Sequence, residues 1–517
     1  MTELVHIALA VLTLAPGYRP PRYGGRATAA LHSRPQTLDP VHTRRLGEWQ
    51  VTALLYDGVM RVPRQGRAAV PHLATKLAPT NRGGRTLVIE LRSGVRSHRG
   101  RVLTSADVVA SLRRLARSPA GWVLGAMKSV GAAGSAKVRV ILHRPAAEFG
   151  TVLAAPTALV TPRGKAPGRA YDGTGAFRFV RGSLGGAVQL GAYARHFAGR
   201  PYLGNLKLVS YRRTLDEVRA FYLRHSIVSF RGKKLWGRRP GFKSRQMRSP
   251  AVTTVALLAG KSGPVTDARV RQAVYLATNK RRLRTLVTVA PTRPAHGPVP
   301  PVLLGRRALR RARRSAPYSR ARARQLLRAA STNPTVAGRL DASGRLVLSL
   351  LVDRSRVRDL DAARKISADL AAVNIRVTIT RLTASRFATL RRAGQYDLAL
   401  FRFTSPVLRS RYHLAAALAA AGQTARARRL VRLSRSRLSR RIRRFMQQLP
   451  LIPLFHVGVR ADLAGSLRYL RRGPWGLLQW ESAHYALRRF SGGARYAAWP
   501  GTAGYPLPGP WPAGVGG

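Results

Sequence analysis

The sequence predicts an α/β protein built of more than one lobe, and three observations carry that prediction. A chain of 517 residues, 45% of them hydrophobic, has the length and the apolar content to bury several cores rather than one. Stretches that alternate apolar and polar residues, the period of a half-buried strand, recur in both halves. Between them lie stretches with apolar residues three and four apart, the period of an amphipathic helix, and no solenoid-type repeat organises either kind. Two or three lobes of mixed structure follow.

From the N-terminus, residues 4–15 (LVHIALAVLTLA) precede Pro16 and Gly17, and the run is long enough for a signal-peptide core but too short to span a bilayer. Residues 1–17 read as a leader. Glu3 is the only charge before Arg19, so the basic start of a leader is missing; a buried first strand or an unused leader is the alternative, and a start upstream or inefficient export is expected. No cysteine follows to carry a lipid anchor. Residues 26–31 (RATAAL) alternate and stop at the turns of Pro35 and Pro40, a short strand entering a loop. Residues 86–92 (TLVIELR) form a clearer strand. Gly94 and Gly100 bracket a turn, after which Thr104-Ser105-Ala106-Asp107 opens an apolar-periodic run through Leu115. Thr104 can satisfy free N–H groups of the first turn while Asp107 reaches back, a capping box, so a helix starts near Ser105.

Residues 137–142 (KVRVIL) alternate as a strand, and 173–180 (GTGAFRFV) are a Gly-rich turn feeding another. Thr266 is placed to cap a helix with Val270, Ala273, Val274 and Ala277 on one face and Asn279 near its end. Helices are expected at 319–330 and 359–373 and a strand at 376–380. Residues 491–517, rich in Gly, Pro and Ala without periodicity, read as a loose tail.

Charge is the most unusual feature: 93 Lys+Arg stand against 19 Asp+Glu, a formal +74, and 82 of the cations are arginine. Such an excess weakens the compact state by self-repulsion and attracts polyanions. Arginine runs through every segment and accompanies 48 Gly and 33 Pro, which points to coding bias or adaptation to the medium rather than to a selected polyanion site. The basic runs 306–314 (RRALRRARR) and 426–444 (RARRLVRLSRSRLSRRIRR) keep a polyanion- or nucleic-acid-binding protein as the alternative function. In the second run Leu430, Val431, Leu433, Leu438 and Ile442 recur at near-helical spacing, as in an amphipathic helix packed on its own domain. No DNA- or RNA-reading motif accompanies it. A basic helix of this kind can also rest on anionic lipid.

Chemistry is restricted further. With no cysteine there is no disulfide, thiolate nucleophile or sulfur-bound zinc. Gly260-Lys261-Ser262 lacks the earlier glycine of a phosphate loop, since that position is Val255. The twelve histidines contain no pair at i, i+4 and no HExxH, so no metal site is expected, and His98 and His456 read as turn or packing residues. Asp216-Glu217 and the pair Asp359 and Asp361 lie in polar stretches and read as solvated helix faces rather than paired acid and base. No GxSxG supports a nucleophile, although a triad drawn from distant positions is not visible in sequence. A non-enzyme without cofactor or metal is the expectation.

Taken in order, these pieces resemble extracellular solute-binding protein family 5, the dipeptide-, oligopeptide- and nickel-binding proteins of ABC importers. The resemblance covers residues 21 to 480. Residues 21–40 (PRYGGRATAALHSRPQTLDP) are similar to the family's first strand and Thr-Leu-Asp-Pro turn. Leu55-Tyr56-Asp57-Gly58 resembles its Tyr-Glu-Gly, and Pro71-His72-Leu73-Ala74 its Pro-x-Leu-Ala. The most specific stretch is 91–115 (LRSGVRSHRGRVLTSADVVASLRRL), similar to the family's strand, turn and capped helix. Residues 171–179, 193–203 and 269–278 fall where the family has matching segments, and Leu449-Pro450-Leu451-Ile452-Pro453-Leu454 resembles its Pro-x-Ile-Pro-Leu.

The resemblance implies a periplasmic-binding-protein-like fold: two α/β lobes joined by a hinge, with an extra domain inserted in the first. Lobe I would comprise 22–46, 168–250 and 466–490, the inserted domain 47–167 and lobe II 251–465. It implies a monomer, periplasmic or otherwise exported, that closes over a peptide or small-molecule solute and delivers it to ABC permease subunits. Ligand-binding roles are implied for Ser33, Arg34, Arg402, Phe403 and Ser405. The chain departs from the family in two places. Arg99 stands where an Asp is common. In residues 396–409 (YDLALFRFTSPVLR), Arg402-Phe403 replaces a Gly-Trp pair and no later acid follows to hold a ligand ammonium. Two guanidinium groups at Arg34 and Arg402 would favour an anionic or neutral cargo, with Phe403 stacking on it or serving as ordinary packing. Arg402→Ala is expected to weaken binding and leave the fold intact.

Overall fold

The computed structural model describes residues 23–63, 68–80, 83–168, 171–231, 244–287, 291–305, 309–310, 318–432, 438–465 and 467–485. The expected leader, the C-terminal tail and most of the basic run 306–314 lie outside the described residues.

Strand β1 (Gly24–Ala30) begins the first lobe with Ala27 and Ala29 turned inward, as the alternation of its sequence requires. The chain then forms helix α1 (Leu46–Leu55). Although the sequence division assigns this helix to the insert, its Val51, Leu54 and Leu55 share a core with Ala29, Leu206 and Trp480 beneath the first sheet.

The inserted domain is a four-stranded antiparallel sheet of β2 (Ala74–Pro79), β3 (Thr86–Leu91), β4 (Met127–Ala132) and β5 (Lys137–Leu142), ordered β2-β3-β5-β4. Helix α2 (Ser105–Arg117) covers one face with Val108, Leu112 and Leu115, meeting Val138 and Val140 of β5. Its capping box forms as the sequence implies: the Asp107 carboxylate accepts the Thr104 N–H at 2.8 Å and the Thr104 hydroxyl at 3.1 Å. The same carboxylate accepts the N–H of Arg163 at 2.6 Å and pairs with Arg101. The chain returns to lobe I as β6 (Phe177–Gly182), β7 (Ala187–Ala192) and β8 (Leu203–Val209). Order in that sheet is β1-β8-β7-β6, with β1 parallel to β8 and the other pairs antiparallel.

Two chain segments lead to lobe II side by side. Ser249 N–H donates to the Val459 carbonyl at 2.7 Å, and Val459 N–H to the Ser249 hydroxyl at 2.7 Å. Gly458 makes this approach possible, since a Cβ there would lie 2.3 Å from the Ser249 carbonyl oxygen. Lobe II is a six-stranded mixed sheet of β9 (Thr253–Ala259), β10 (Thr292–Pro294), β11 (Leu346–Asp353), β12 (Ile375–Leu382), β13 (Leu398–Thr404) and β14 (Leu451–Val457). The order is β10-β14-β9-β13-β11-β12, and β11 runs parallel to both β12 and β13. Its core joins Leu257, Leu348, Leu350 and Ile452 to the helices on its outer face, α3 (Ala268–Ala277), α4 (Arg320–Ala330) and α5 (Val357–Ala371).

Two expectations are corrected here. The cap of α3 is Asp267, which accepts the Arg269 N–H at 2.7 Å; Thr266 instead donates to the Gly263 carbonyl at 2.8 Å and closes the preceding turn. A carboxylate one residue nearer the helix meets the free N–H groups better. The basic run 426–444 is not one helix on its own domain. After α6 (Ser410–Ala420) it forms α7 (Thr424–Arg432) and α8 (Leu438–Gln448), with Leu433 outside the described residues. The apolar face of α7, Ala427, Leu430 and Val431, packs against the inserted domain at Trp122, Val123 and Leu124. No helix among the described residues is long and apolar enough to cross a membrane.

Candidate functional site

The site is built where the segment after β1 faces the strand ends of lobe II. That segment is tied down by Glu48 of α1, whose buried carboxylate accepts the N–H groups of Gln36 (3.1 Å), Arg44 (2.7 Å) and Arg45 (2.9 Å). Ser33 contributes to the same anchor, its hydroxyl accepting the Gly47 N–H of the first turn of α1 at 2.9 Å. His32 is thereby held edge-on to Phe230, 5.5 Å between ring centres. A cavity with room for about one water lies among His32, Leu46, Gln50, Phe230, Val459 and Trp475.

Phe230 and Arg231 follow a short strand, Val228–Ser229, and are fixed by Glu217. Its carboxylate accepts N–H groups of Phe230 (2.6 Å) and Arg231 (2.9 Å), the Ser229 hydroxyl (2.9 Å) and the Arg231 guanidinium (3.2 Å). Burial pushes the Glu217 carboxyl up from its ordinary value, and Arg231 with the other donors opposes that rise. Lobe II supplies Asp353 at the end of β11, Arg356 beyond it, Asp359 in α5 and Arg402 in β13. Arg402 pairs with Asp359, and Arg356 approaches Asp353 at 3.6 Å with 38% of its side chain still exposed.

Electrostatically these groups form one cluster. Burial first, then the charges of Arg231, Arg356 and Arg402, lower the His32 pKa to about 3, so the imidazole is neutral near pH 7. The cationic form of Arg356 is disfavoured by burial and Arg402, favoured by Asp359 and Asp353, and disfavoured again by Arg45. Three guanidinium groups from the two lobes, Arg231, Arg356 and Arg402, thus converge on a neutral imidazole, and an incoming anion would relieve their repulsion.

The five residues implied by the resemblance are not brought together as a set. Arg402 faces the guanidinium cluster. Arg34 is exposed and lies on the β6–β7 turn, its Nε 2.3 Å from where a Cβ of Gly185 would stand. Phe403 is buried, tilted against His413 at 5.2 Å. Ser405 is buried; its hydroxyl donates to the Val407 carbonyl at 2.7 Å, and its own carbonyl accepts the Trp475 indole N–H at 2.8 Å. Ser33 is engaged with Gly47.

Two acids differ from expectation. Glu217 and Asp359 are 1% and 2% exposed rather than solvated, because each lies on the inner face of its helix as the counter-ion of an arginine. Asp216 and Asp361 are half-buried, with 40% and 48% of their side chains accessible. The burial of Asp359 also changes what Arg402→Ala would do. Removing the guanidinium strands a buried carboxylate, so the substitution strikes the fold as well as the cleft. His32, Arg231 and Arg356 escaped the sequence reading because they come from three distant segments; the i, i+3 spacing of Asp353 and Arg356 at a strand end was the one local signal. Among the described residues no group of three or more His, Asp or Glu side chains is arranged to hold a metal.

Two α/β lobes, a hinge of paired crossing segments and a charged cleft between them define a solute-capturing binding protein. The comparisons agree. Residues 68–424 match the family model of bacterial extracellular solute-binding proteins, family 5, and the chain belongs to that family. It is 25% identical to di/tripeptide-binding protein 2 of Pseudomonas aeruginosa over 72% of this chain and 77% of the relative. The fold matches the oligopeptide-binding protein AppA of Bacillus subtilis with a TM-score of 0.72 at 17% identity, covering 90% of this chain and 100% of AppA. It matches the periplasmic binding protein DppA of Helicobacter pylori with a TM-score of 0.76 at 15% identity, covering 90% and 98%. The chain is a solute-binding component of an ABC transporter, and the polyanion-binding alternative gives way to that assignment.

Proposed function

We propose that the chain captures a peptide or similar small solute, anionic or neutral in character, outside the cytoplasm and hands it to the permease of an ABC importer. The observation that carries the charge preference is the convergence of Arg231, Arg356 and Arg402 around the neutral His32, with Arg45 acting on Arg356. Low-dielectric walls focus the field of such a cluster, and guanidinium groups offer fixed donors to carboxylates. Peptide as the solute class is supported by the di/tripeptide-binding relative and by the peptides bound in the AppA and DppA structures. Within this reading Arg356 is the residue best placed to meet solute, because its approach to Asp353 is loose, at 3.6 Å, while Arg402 is committed to Asp359.

Native mass spectrometry of protein purified without refolding, followed by calorimetry with acidic, neutral and cationic tripeptides, tests the reading. Acidic or neutral tripeptides should bind, and Arg356→Ala should weaken the acidic ones by about 1.5–3 kcal/mol, the range for a hydrogen bond to a charged group. Tightest binding of cationic tripeptides would overturn the charge preference. A protein that carries no solute and captures none of the three classes would overturn the choice of peptide.

A further inference from the structure

By chain order α6 and α7 belong to lobe II, since they lie between β13 and β14. In space their inner faces complete the core of the inserted domain. Leu414, Ala415, Ala427, Leu430 and Val431 join Trp122 and its neighbours in one buried cluster. Around this apolar seam stands a ring of polar ties. Arg411, 9% exposed, pairs with Glu148 of the inserted domain, 16% exposed. Arg409 donates to the Thr151 hydroxyl at 3.4 Å. From α7, Arg428 donates to the Ala116 carbonyl at 3.3 Å and Arg432 to the Gly125 carbonyl at 3.0 Å. Ala116 is in the last turn of α2, where carbonyls lack helical partners and cationic donors are favourable. The backbones come close here: a Cβ on Gly125 would lie 2.8 Å from the Arg428 carbonyl oxygen.

The hinge segments at Ser249 and Val459 join lobe II to lobe I, and the inserted domain is continuous with lobe I. A rotation that opens the cleft about that hinge must therefore part this seam as well. We propose that the inserted domain is a second closing surface, onto which lobe II latches through the Arg411–Glu148 pair and the apolar face of α7. Arg411 and Glu148 then act as positioning residues for capture. Free energy stored in the seam favours the closed state and enters the apparent solute affinity through the closed population, without touching solute. The proposal rests on capture by lobe closure, but its test uses no solute, so it stands or falls separately from the identity of the cargo.

The chain has no cysteine, so dyes can be placed at will. Ala132→Cys in the inserted domain and Ala321→Cys in lobe II are both exposed, and single-molecule energy transfer between them reports the separation. Solute-free protein should show mainly the short separation. Glu148→Gln, and independently the double substitution Arg428→Gln/Arg432→Gln, should shift the equilibrium toward the long separation by roughly tenfold or more, with Glu148→Asp recovering part of the loss. Should Glu148→Gln melt the protein, the double variant decides, since both of its residues are exposed. A long separation in the unsubstituted protein, or distributions unchanged in both variants, would falsify the latch.

Discussion

At the scale of single residues, the chain's few acids are used as internal counter-ions. Asp57 illustrates the pattern where the insert meets lobe I. Its carboxylate lies 2.8 Å from His72 Nε2 and 3.5 Å from His196 Nε2, and accepts the Thr174 hydroxyl at 2.9 Å. For His196, burial alone would lower the pKa, but the hydrogen bond and charge of Asp57 outweigh it and the net shift is upward from 6.5. A raised folded pKa means that the contribution to stability is complete below the unfolded value and lost as pH rises through the folded one. The stability difference between the unsubstituted protein and His196→Gln should therefore be largest at about pH 6 and below, and shrink as pH rises toward about 9. Urea unfolding across that range checks it; a difference growing with pH would reverse the assignment. Asp57 stood in a motif legible in the sequence, but its partners did not, because His72 and His196 reach it only through the packing of the insert on lobe I.

At the scale of elements, local signals succeeded where the determinant was local. The alternation of 137–142 became β5, with Val138, Val140 and Leu142 buried, and the capping box at Thr104 opened α2. Asp107 does more than close that box, since it also holds Arg101 and the N–H of Arg163 from a different loop. Thr104→Ala should therefore cost about 0.5–1 kcal/mol, at the low end for a cap. Asp107→Ala should cost about 3 kcal/mol or more, because a buried acceptor for several donors is lost. Chemical denaturation of the two variants separates the cases; equal losses would restrict Asp107 to its cap. The basic run 426–444 shows the opposite outcome. Its apolar spacing identified helix, but the break between α7 and α8 and the partner of α7 depend on the inserted domain, which is remote in sequence.

Across the whole molecule, the formal charge of +74 opposes compaction, and the ion pairs described above neutralise only a part of it. Screening should relieve the remainder. Raising salt from about 0.05 to 0.5 M should raise the thermal midpoint, whereas a protein whose ion pairs dominated would lose stability over the same range. Capture in a closed cleft should change little with salt compared with surface adsorption of polyanions. The sequence by itself determined the class of fold, several of its strands and helices, the family and the absence of cysteine chemistry. Each of these rests on periodicity, composition or contiguous motifs, which survive without knowledge of neighbours. Only the tertiary structure decided that Arg402 is spoken for by Asp359, that His32 rather than Arg34 meets the guanidinium cluster, and that α7 serves the inserted domain. Those outcomes depend on burial and on which segments the hinge and the insert bring face to face, and no spacing along the chain encodes them.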